Sequence, residues 1–510
     1  MSFRKRIIMN AGSNWASQFV NAVIVLIFIR IIPHSLGWES YGVWALLSTG
    51  LRYPMILENA FSLSTNRFVA FYHNDSEQLN RFVSASFFIL LLLAILTVTA
   101  AVILSFFVSD FFTAITEDLA PEAQITCILV GLTLALKILE ATFSGALMGY
   151  QYHTHYNAIL IITNIFRLIL TIVILNYWQS MIAVQLAFGL TATISILLVF
   201  YVTRKSIPNF KINVFKVRKQ TVRELFRYTG HATARSGSMI FMFSTLALLV
   251  GKVGSAENVS VYDIASRITG FIRGLLAGAH NVFLPAVTNL FASRQIEKIK
   301  TVLKKGTRIS SAITCILIIL LFVFAEEILR FLLREMFLPE MVFVMRIMII
   351  SVVPRGFFGI WIPSLVGMGY LKGLTVAAIT TVAGAILLEI IFLSGIVSVP
   401  MAPAIAMVIA LSGYMGIWLP LYGLYKCNIC PYEYIKDSLL GPVTAALVSV
   451  AILVILNSIV PDNSVHWILM FVASAIIVLL SFASISLRSE TAELILIFRN
   501  KFNNKPKCNI

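Results

Sequence analysis

The 510-residue sequence is 59% hydrophobic and only 12% charged, with a formal net charge of +16, whereas soluble domains carry roughly a quarter charged residues. That deficit over the whole length excludes a soluble enzyme tethered by one anchor, and Gly, Pro and Cys counts of 27, 15 and 5 exclude collagen-like, disordered and disulfide-stapled chains. What remains is an all-α polytopic membrane protein with little mass outside the bilayer.

A helix needs about 20 apolar residues to cross a bilayer. The apolar runs are continuous rather than alternating, which excludes a barrel. In chain order they predict fourteen spans, at 9–32, 40–63, 81–108, 123–149, 155–176, 180–203, 231–251, 258–284, 309–328, 341–363, 372–396, 399–424, 438–460 and 465–486. The second and eighth are the least apolar, and the count falls to twelve or thirteen if they are re-entrant. The first span follows a basic start but is polar in its first half and lacks a small-residue cleavage site, so it reads as a helix rather than a leader.

Lys and Arg placement sets the orientation. With Arg4, Lys5 and Arg6 inside, the cytoplasmic segments hold 27 of the 39 Lys and Arg, the external loops hold only Lys252, Arg330 and Arg334, and nine fall within spans. Both termini are therefore expected in the cytoplasm. The basic clusters lie in short loops and a tail, which suits anionic membrane lipids and not nucleic acid. Cys427 and Cys430 lack a second ligand pair, so no metal site is expected.

An internal echo recurs at an offset of about 220 residues. Tyr41 and Arg52 match Tyr262 and Arg273, Asn59-Ala60-Phe61 is echoed by Asn281-Val282-Phe283, and Met148-Gly149-Tyr150 by Met368-Gly369-Tyr370. Six spans precede the basic loop and six follow, so the repeats share one orientation. The expected organisation is an N-terminal lobe (1–203), a basic cytoplasmic linker (204–230), a pseudo-symmetric C-terminal lobe (231–424), and two appended helices with a basic tail (425–510).

Each charge at the centre of a span costs at least about 2.5–3.5 kcal/mol on insertion scales and needs a partner or a wet cavity. Arg30, Arg346 and Arg355 lie near span ends, where side chains snorkel. Lys137 with Glu140, and Asp263 with Arg267, sit one turn apart and should pair. Arg52, Arg167 and Arg273 are near mid-span. Helical phase groups Arg52 with Tyr41, Ser48, Asn59 and Asn66, and Arg273 with Tyr262, Ser266, Thr269 and His280. It also places Arg167 with Tyr156, Thr163 and Thr171, Asn10 and Asn14 with Gln18 and Asn21, and Arg235 with His231. Asn and Ser stripes alone fit hydrogen-bonded helix seams. Arginines central on Tyr- and Asn-lined faces fit a hydrated cationic cavity, since guanidinium forks bind phosphate bidentately. The candidate site is Arg52, Arg167, Arg235, Arg267, Arg273, Asn10, Asn14, Tyr41, Asn59 and Tyr262, and its expected ligand is a polyanion carrying a glycan. Glu58, Asp263 and Glu389 are the candidate carboxylates for coupling to a proton or sodium gradient. No catalytic residue or bound cofactor is expected, and no Walker A string occurs.

The stretch Leu36-Gly37-Trp38-Glu39-Ser40-Tyr41-Gly42 after Arg30 resembles the Arg-x-Leu-Gly-x-Glu-x-Tyr-Gly signature joining the first two spans of polysaccharide exporters. Gly149-Tyr150-Gln151 with Asn157 resembles the entry to their fifth span. Arg30 sits several residues farther from Leu36-Gly37 than usual, so no site role is carried to it. Over its whole length the chain is similar to Wzx-type O-antigen or capsule repeat-unit flippases of the multidrug/oligosaccharidyl-lipid/polysaccharide exporter (MOP) superfamily. The resemblance implies two lobes and movement of undecaprenyl-diphosphate-linked oligosaccharide to the outer leaflet of the bacterial inner membrane. That transport serves surface polysaccharide or lipopolysaccharide assembly beside a polysaccharide polymerase machinery. A peptidoglycan-precursor flippase would share the cationic cavity, whereas a multidrug exporter would be expected to show an acidic one. A membrane polymerase or glycosyltransferase would need catalytic groups in sizeable external loops, and the predicted external loops are short.

Overall fold

The computed structural model describes residues 3–459 and 466–486, and every regular element among them is helical. In order these are α1 (Phe3–Leu36), α2 (Trp38–Gly50), α3 (Met55–Phe71), α4 (Ser76–Phe111), α5 (Ala120–Gly149), α6 (His153–Tyr177), α7 (Met181–Ser206), α8 (Lys219–Val253), α9 (Ala256–Asn281), α10 (Phe283–Ala292) and α11 (Ile296–Val323). They continue as α12 (Ala325–Leu333), α13 (Glu340–Ile350), α14 (Val353–Phe358), α15 (Trp361–Gly367), α16 (Leu371–Leu393), α17 (Ala402–Leu411), α18 (Leu419–Cys427), α19 (Pro431–Ser438), α20 (Leu440–Ile459) and α21 (His466–Ser481). A π-helical turn, Ser412–Trp418, joins α17 to α18.

Among the described residues ten helices, some of them joined across a break, are long and apolar enough to cross a membrane. The other predicted spans fall on the α2–α3 pair, on Gly237–Val253 within α8, on α19 with α20 (bent by 44°) and on Met470–Ser486. The second span is broken where the sequence is least helical. Pro54 has no N–H to donate, and Leu51–Pro54 form a turn in which Met55 N–H reaches Arg52 O at 3.0 Å. Arg52 therefore lies in a break, whereas its sequence counterpart Arg273 lies inside continuous α9.

Contacts divide the chain into two units. The first takes residues up to Phe271 with Leu332–Val344 and Thr375–Met407; the second takes Ile272–Phe331, Met345–Leu374 and the residues from Val408 on.

In the first unit α1 ends at Gly37, whose φ of +79° is strained for any residue with a Cβ, and Gly37 N–H closes on Pro33 O at 2.8 Å. The chain re-enters α2 at once, so the Leu-Gly-x-Glu-x-Tyr-Gly stretch is a hinge between two helices. Asp75 caps α4, accepting from the N–H groups of Glu77 and Gln78 at 3.1 and 3.0 Å. Small residues bring helices together where lipid supplies no driving force. A Cβ on Gly131 would lie 2.3 Å from Ala101, and one on Gly145 2.6 Å from Ser62 O. Phe82, Val83, Phe143, Leu147 and Val199 fill the core around them.

The second unit packs Ala312, Cys315 and Leu320 of α11 against Ala445 of α20 and Val478 of α21. Tyr434 Oη accepts from Trp361 Nε1 at 2.9 Å and shares a 2.5 Å hydrogen bond with Thr307 Oγ1. The Met-Gly-Tyr echo is close but not in register. The left-handed residue is Gln151 after α5 and Gly369 after α15, each followed by the same backbone closure, Tyr152 to Leu147 O and Tyr370 to Leu365 O, both 2.9 Å. The turns thus superpose at an offset two residues shorter than the letters suggest.

The tightest approach is Gly42 of α2 against α9, where a Cβ would lie 1.9 Å from the Ala256 carbonyl oxygen. Backbone cannot yield as a side chain does, so Gly42→Val is expected to cost about 3 kcal/mol, the upper end for overpacking. Gly384→Ala, with nothing within 4 Å, should be neutral or gain up to about 1 kcal/mol. Thermal unfolding of the two variants in detergent checks the contrast.

Candidate functional site

Gly42 lets α2 and α9 touch, and polar groups then fasten the contact. Ser260 Oγ donates to Trp38 O at 2.7 Å. One turn farther on, Tyr41 Oη donates to Asp263 Oδ2 at 2.6 Å, and Arg267 Nε donates to the same oxygen at 2.5 Å. Tyr41 and Asp263 are buried, while the Arg267 side chain keeps 28% of its surface exposed. Its guanidinium lies 5.2 Å from the Trp44 ring. Trp44 Nε1 donates to Gln185 Oε1 at 3.2 Å, and Gln185 Nε2 to Thr133 Oγ1 at 2.9 Å. The predicted Asp263–Arg267 pair is present, and it holds Arg267 from below while aromatic surface holds it from the side.

Arg167 reaches the other side of that aromatic group. Its guanidinium sits 4.8 Å from the Phe188 ring and 5.7 Å from the Phe28 ring, and Phe188 packs against Trp44 at 5.6 Å. Arg167 Nε has no hydrogen-bond partner among the described residues. Arg52, freed from helical geometry by the break at Pro54, is exposed. The Arg267 charge acts on both Arg52 and Arg167, so three arginines from the α2–α3 break, α6 and α9 share one electrostatic neighbourhood.

Acidic groups temper this cluster. Lys137 and Glu140 pair at 2.9 Å, as their spacing predicts, and Glu58 lies near enough to feel both them and Arg52. With Arg267 committed to Asp263 and Lys137 to Glu140, Arg52 and Arg167 remain against Glu58. The excess is one positive charge, smaller than the count of intramembrane arginines suggests. Neither Arg52 nor Arg167 donates a hydrogen bond to a protein group among the described residues, and both are available to an anion.

Other candidates are placed differently. Tyr41 is a buried positioning group for Asp263, and Tyr262 is 2% exposed. Asn59 is exposed but donates to Met55 O of its own helix at 2.8 Å. Arg273 lies on α9 in the second unit, and the side chains of Arg235 and His231 lie outside the described residues. Thr163 and Thr171 bond to their own helix backbone, and His280 shares a 2.6 Å hydrogen bond with Ser310 in the second unit. Glu389 of α16 is fully buried, and neither carboxyl oxygen has a hydrogen-bond partner among the described residues.

Asn10 and Asn14 belong to a second feature, a groove of about 730 Å³ in the first unit. Asn10, Asn14, Gln18 and Asn21 of α1 face Gln151 and, from α6, Asn157 and Asn164. No Lys, Arg, Asp or Glu lines it among the described residues. The sequence stripe on α1 points to this wall; the facing Asn157 and Asn164, seven apart on α6, carry the matching signal that the Thr163 and Arg167 phase obscures. The aromatic cradle of Phe28, Phe188 and Trp44 has no signal in spacing, because it joins three helices.

The described residues thus form an all-helical membrane bundle in which Arg52 and Arg167 donate no hydrogen bond to another described residue. The family described as "Polysaccharide biosynthesis protein" matches residues 7–291, and the family described as MatE matches 236–394. Among solved structures, the lipid II flippase MurJ in an inward closed conformation has a TM-score of 0.73 at 18% identity, covering 95% of this chain and 100% of that one. An inward-facing multidrug resistance MATE family transporter has 0.66 at 14%, covering 81% and 98%. A MOP superfamily transporter from Pyrococcus furiosus, described as having a binding pocket of reversed polarity, has 0.55 at 13%, covering 81% and 95%. No protein of curated function matches the sequence. The chain belongs to the polysaccharide biosynthesis protein family, and its fold is that of the MOP superfamily of flippases and exporters.

Removing one partner from a buried pair costs about 3–5 kcal/mol; with Arg267 partly exposed, Asp263→Ala is expected at the low end, roughly 3 kcal/mol. Asp263→Ala/Arg267→Ala should cost less than the sum of the single changes, measured by thermal unfolding over the double-mutant cycle.

Proposed function

We propose that the protein flips undecaprenyl-diphosphate-linked oligosaccharide repeat units from the cytoplasmic to the outer leaflet of the bacterial inner membrane, for surface polysaccharide assembly. The observation that carries this reading is the pair of uncommitted arginines, Arg52 and Arg167, beside the anchored Arg267. A lipid diphosphate entering the membrane loses its hydration, and guanidinium groups at that depth replace it with charge-assisted hydrogen bonds. The match to a polysaccharide biosynthesis family over more than half the chain supports a glycan cargo. The fold likeness to a lipid II flippase supports a lipid-linked one. A cluster with one excess cation disfavours cationic drugs as cargo.

In this reading the protein is a carrier and not an enzyme. Both termini are cytoplasmic, the two six-span repeats are the moving bodies of an alternating-access cycle, and residues 204–230 link them. The diphosphate engages Arg52 and Arg167 from the cytoplasmic leaflet while the polyprenyl chain stays in lipid. Closure on one side and opening on the other then releases the glycan outside. A proton or sodium gradient drives the cycle. Asp263 is committed to Tyr41 and Arg267, which leaves Glu58 and Glu389 as carriers of the coupling ion.

Loss of a charged hydrogen-bonding group costs about 1.5–3 kcal/mol, so Arg52→Ala and Arg167→Ala should each slow flipping about 10- to 100-fold in proteoliposomes at matched insertion. Arg52→Lys should recover only part of the rate, since an ammonium lacks the fork. Retained transport in both Ala variants would contradict the reading. An imposed proton or sodium gradient should accelerate the wild type, and Glu389→Gln should remove that response; acceleration equal to wild type would exclude Glu389 as the carrier.

A further inference from the structure

Polar side chains at membrane depth are costly unless they find partners, and the amide groove of the first unit leaves two without any among the described residues. Asn157 Nδ2 donates to Ser13 Oγ and Thr154 Oγ1 to Asn10 Oδ1, both at 3.0 Å, fastening α1 to α6. Asn21 accepts only a long 3.5 Å contact from Asn164. Asn14 and Gln18, one turn apart on α1 and facing the same space, make no hydrogen bond to another described residue, and Asn14 is exposed. The seam between the helices is therefore closed by other residues, and these amides do not serve it.

The groove's position and chemistry are specific. Asn10 to Asn21 extend about 16 Å along α1 at 1.5 Å per residue, so it runs from one end of the helix toward its middle. At its inner end Asn164 lies three residues before Arg167, a spacing that makes them surface neighbours on α6. Asn21 precedes Phe28, the ring beside Arg167, by two turns on one face. The groove thus leads to the arginine cluster. A primary amide offers two donors and an acceptor without net charge, the complement of hydroxyl and acetamido groups. A carboxylate-bearing sugar placed there would lose hydration and meet no Lys or Arg among the described residues that line the groove, which offers one imidazole, His153. A volume of about 730 Å³ is within the range of ligand pockets, about 300–1,000 Å³.

We infer that this groove is a glycan subsite for uncharged, hydroxyl- and acetamido-bearing sugars next to the diphosphate, and that Asn14 and Gln18 are its specificity-determining contacts. The inference rests on the lipid-linked oligosaccharide reading above and adds which sugars the protein accepts and where it reads them.

Binding in nanodiscs, with bare undecaprenyl diphosphate and the same lipid carrying an uncharged N-acetylhexosamine disaccharide as probes, separates the two claims. The wild type should prefer the glycosylated lipid. Asn14→Ala/Gln18→Ala should reduce that preference about tenfold, the loss expected for two or three hydrogen bonds, with a folded state of matched thermal stability. Arg52→Ala should weaken both lipids by a similar factor. If the double variant keeps the wild-type preference while Arg52→Ala still weakens both lipids, the subsite is wrong and the flippase reading stands. If the wild type binds neither lipid, the flippase reading fails and takes the subsite with it.

Discussion

The hydrogen-bonded trio of Tyr41, Asp263 and Arg267 is the constraint on which the first unit's polar interior depends. An ionised carboxylate at membrane depth is costly without a cation or a donor aimed at it, and one oxygen of Asp263 receives both. The trio requires α2 and α9 to approach to backbone contact, which Gly42 permits. It fixes Arg267, and Arg267 in turn stands against the Trp44 ring and acts on Arg52 and Arg167. Arg52 stands in a helix break and Arg167 against an aromatic cradle, and neither donates a hydrogen bond to a protein group among the described residues, so their hydrogen-bonding capacity is unspent.

That arrangement separates holding from binding. Paired charges, Asp263 with Arg267 on α9 and Lys137 with Glu140 on α5, neutralise each other within one helix, and Tyr41 ties the first pair to α2. Arg52, exposed, and Arg167, half-buried, make no ion pair among the described residues. The same division holds for amides: Asn10 and Asn157 tie α1 to α6, while Asn14 and Gln18 do not. A polar interior in which only some groups are satisfied is costly to keep, and in the proposed function the passing ligand completes the missing bonds.

Much of this was legible in the sequence because lipid imposes strict rules. Composition and continuous apolar runs gave the all-helical membrane class, and i, i+3 and i, i+4 spacing gave both ion pairs. The Leu36-Gly37 to Gly42 motif carried a physical meaning the letters alone do not state: a left-handed residue between helices and a close helix approach around Tyr41. Phase arguments worked where a helix is continuous, as for Asn10, Asn14, Gln18 and Asn21 on α1. They do not carry past the end of α2 at Gly50, where Tyr41 is a buried anchor on the helix and Arg52 lies in the turn beyond it, outside the helical phase that would group the two. Contacts made by three helices at once, such as Phe28, Phe188 and Trp44 around the arginines, leave no periodic trace in any one of them.

The central claim is that Arg52 and Arg167 receive a lipid diphosphate beside an Arg267 held by Asp263. A structure of the full-length protein in nanodiscs with undecaprenyl-diphosphate-linked oligosaccharide tests it most directly. The account predicts diphosphate oxygens within hydrogen-bonding distance of Arg52 and Arg167, with the Tyr41–Asp263–Arg267 contacts intact. A diphosphate bound away from these arginines, or an Asp263–Arg267 pair broken to receive it, would contradict the account.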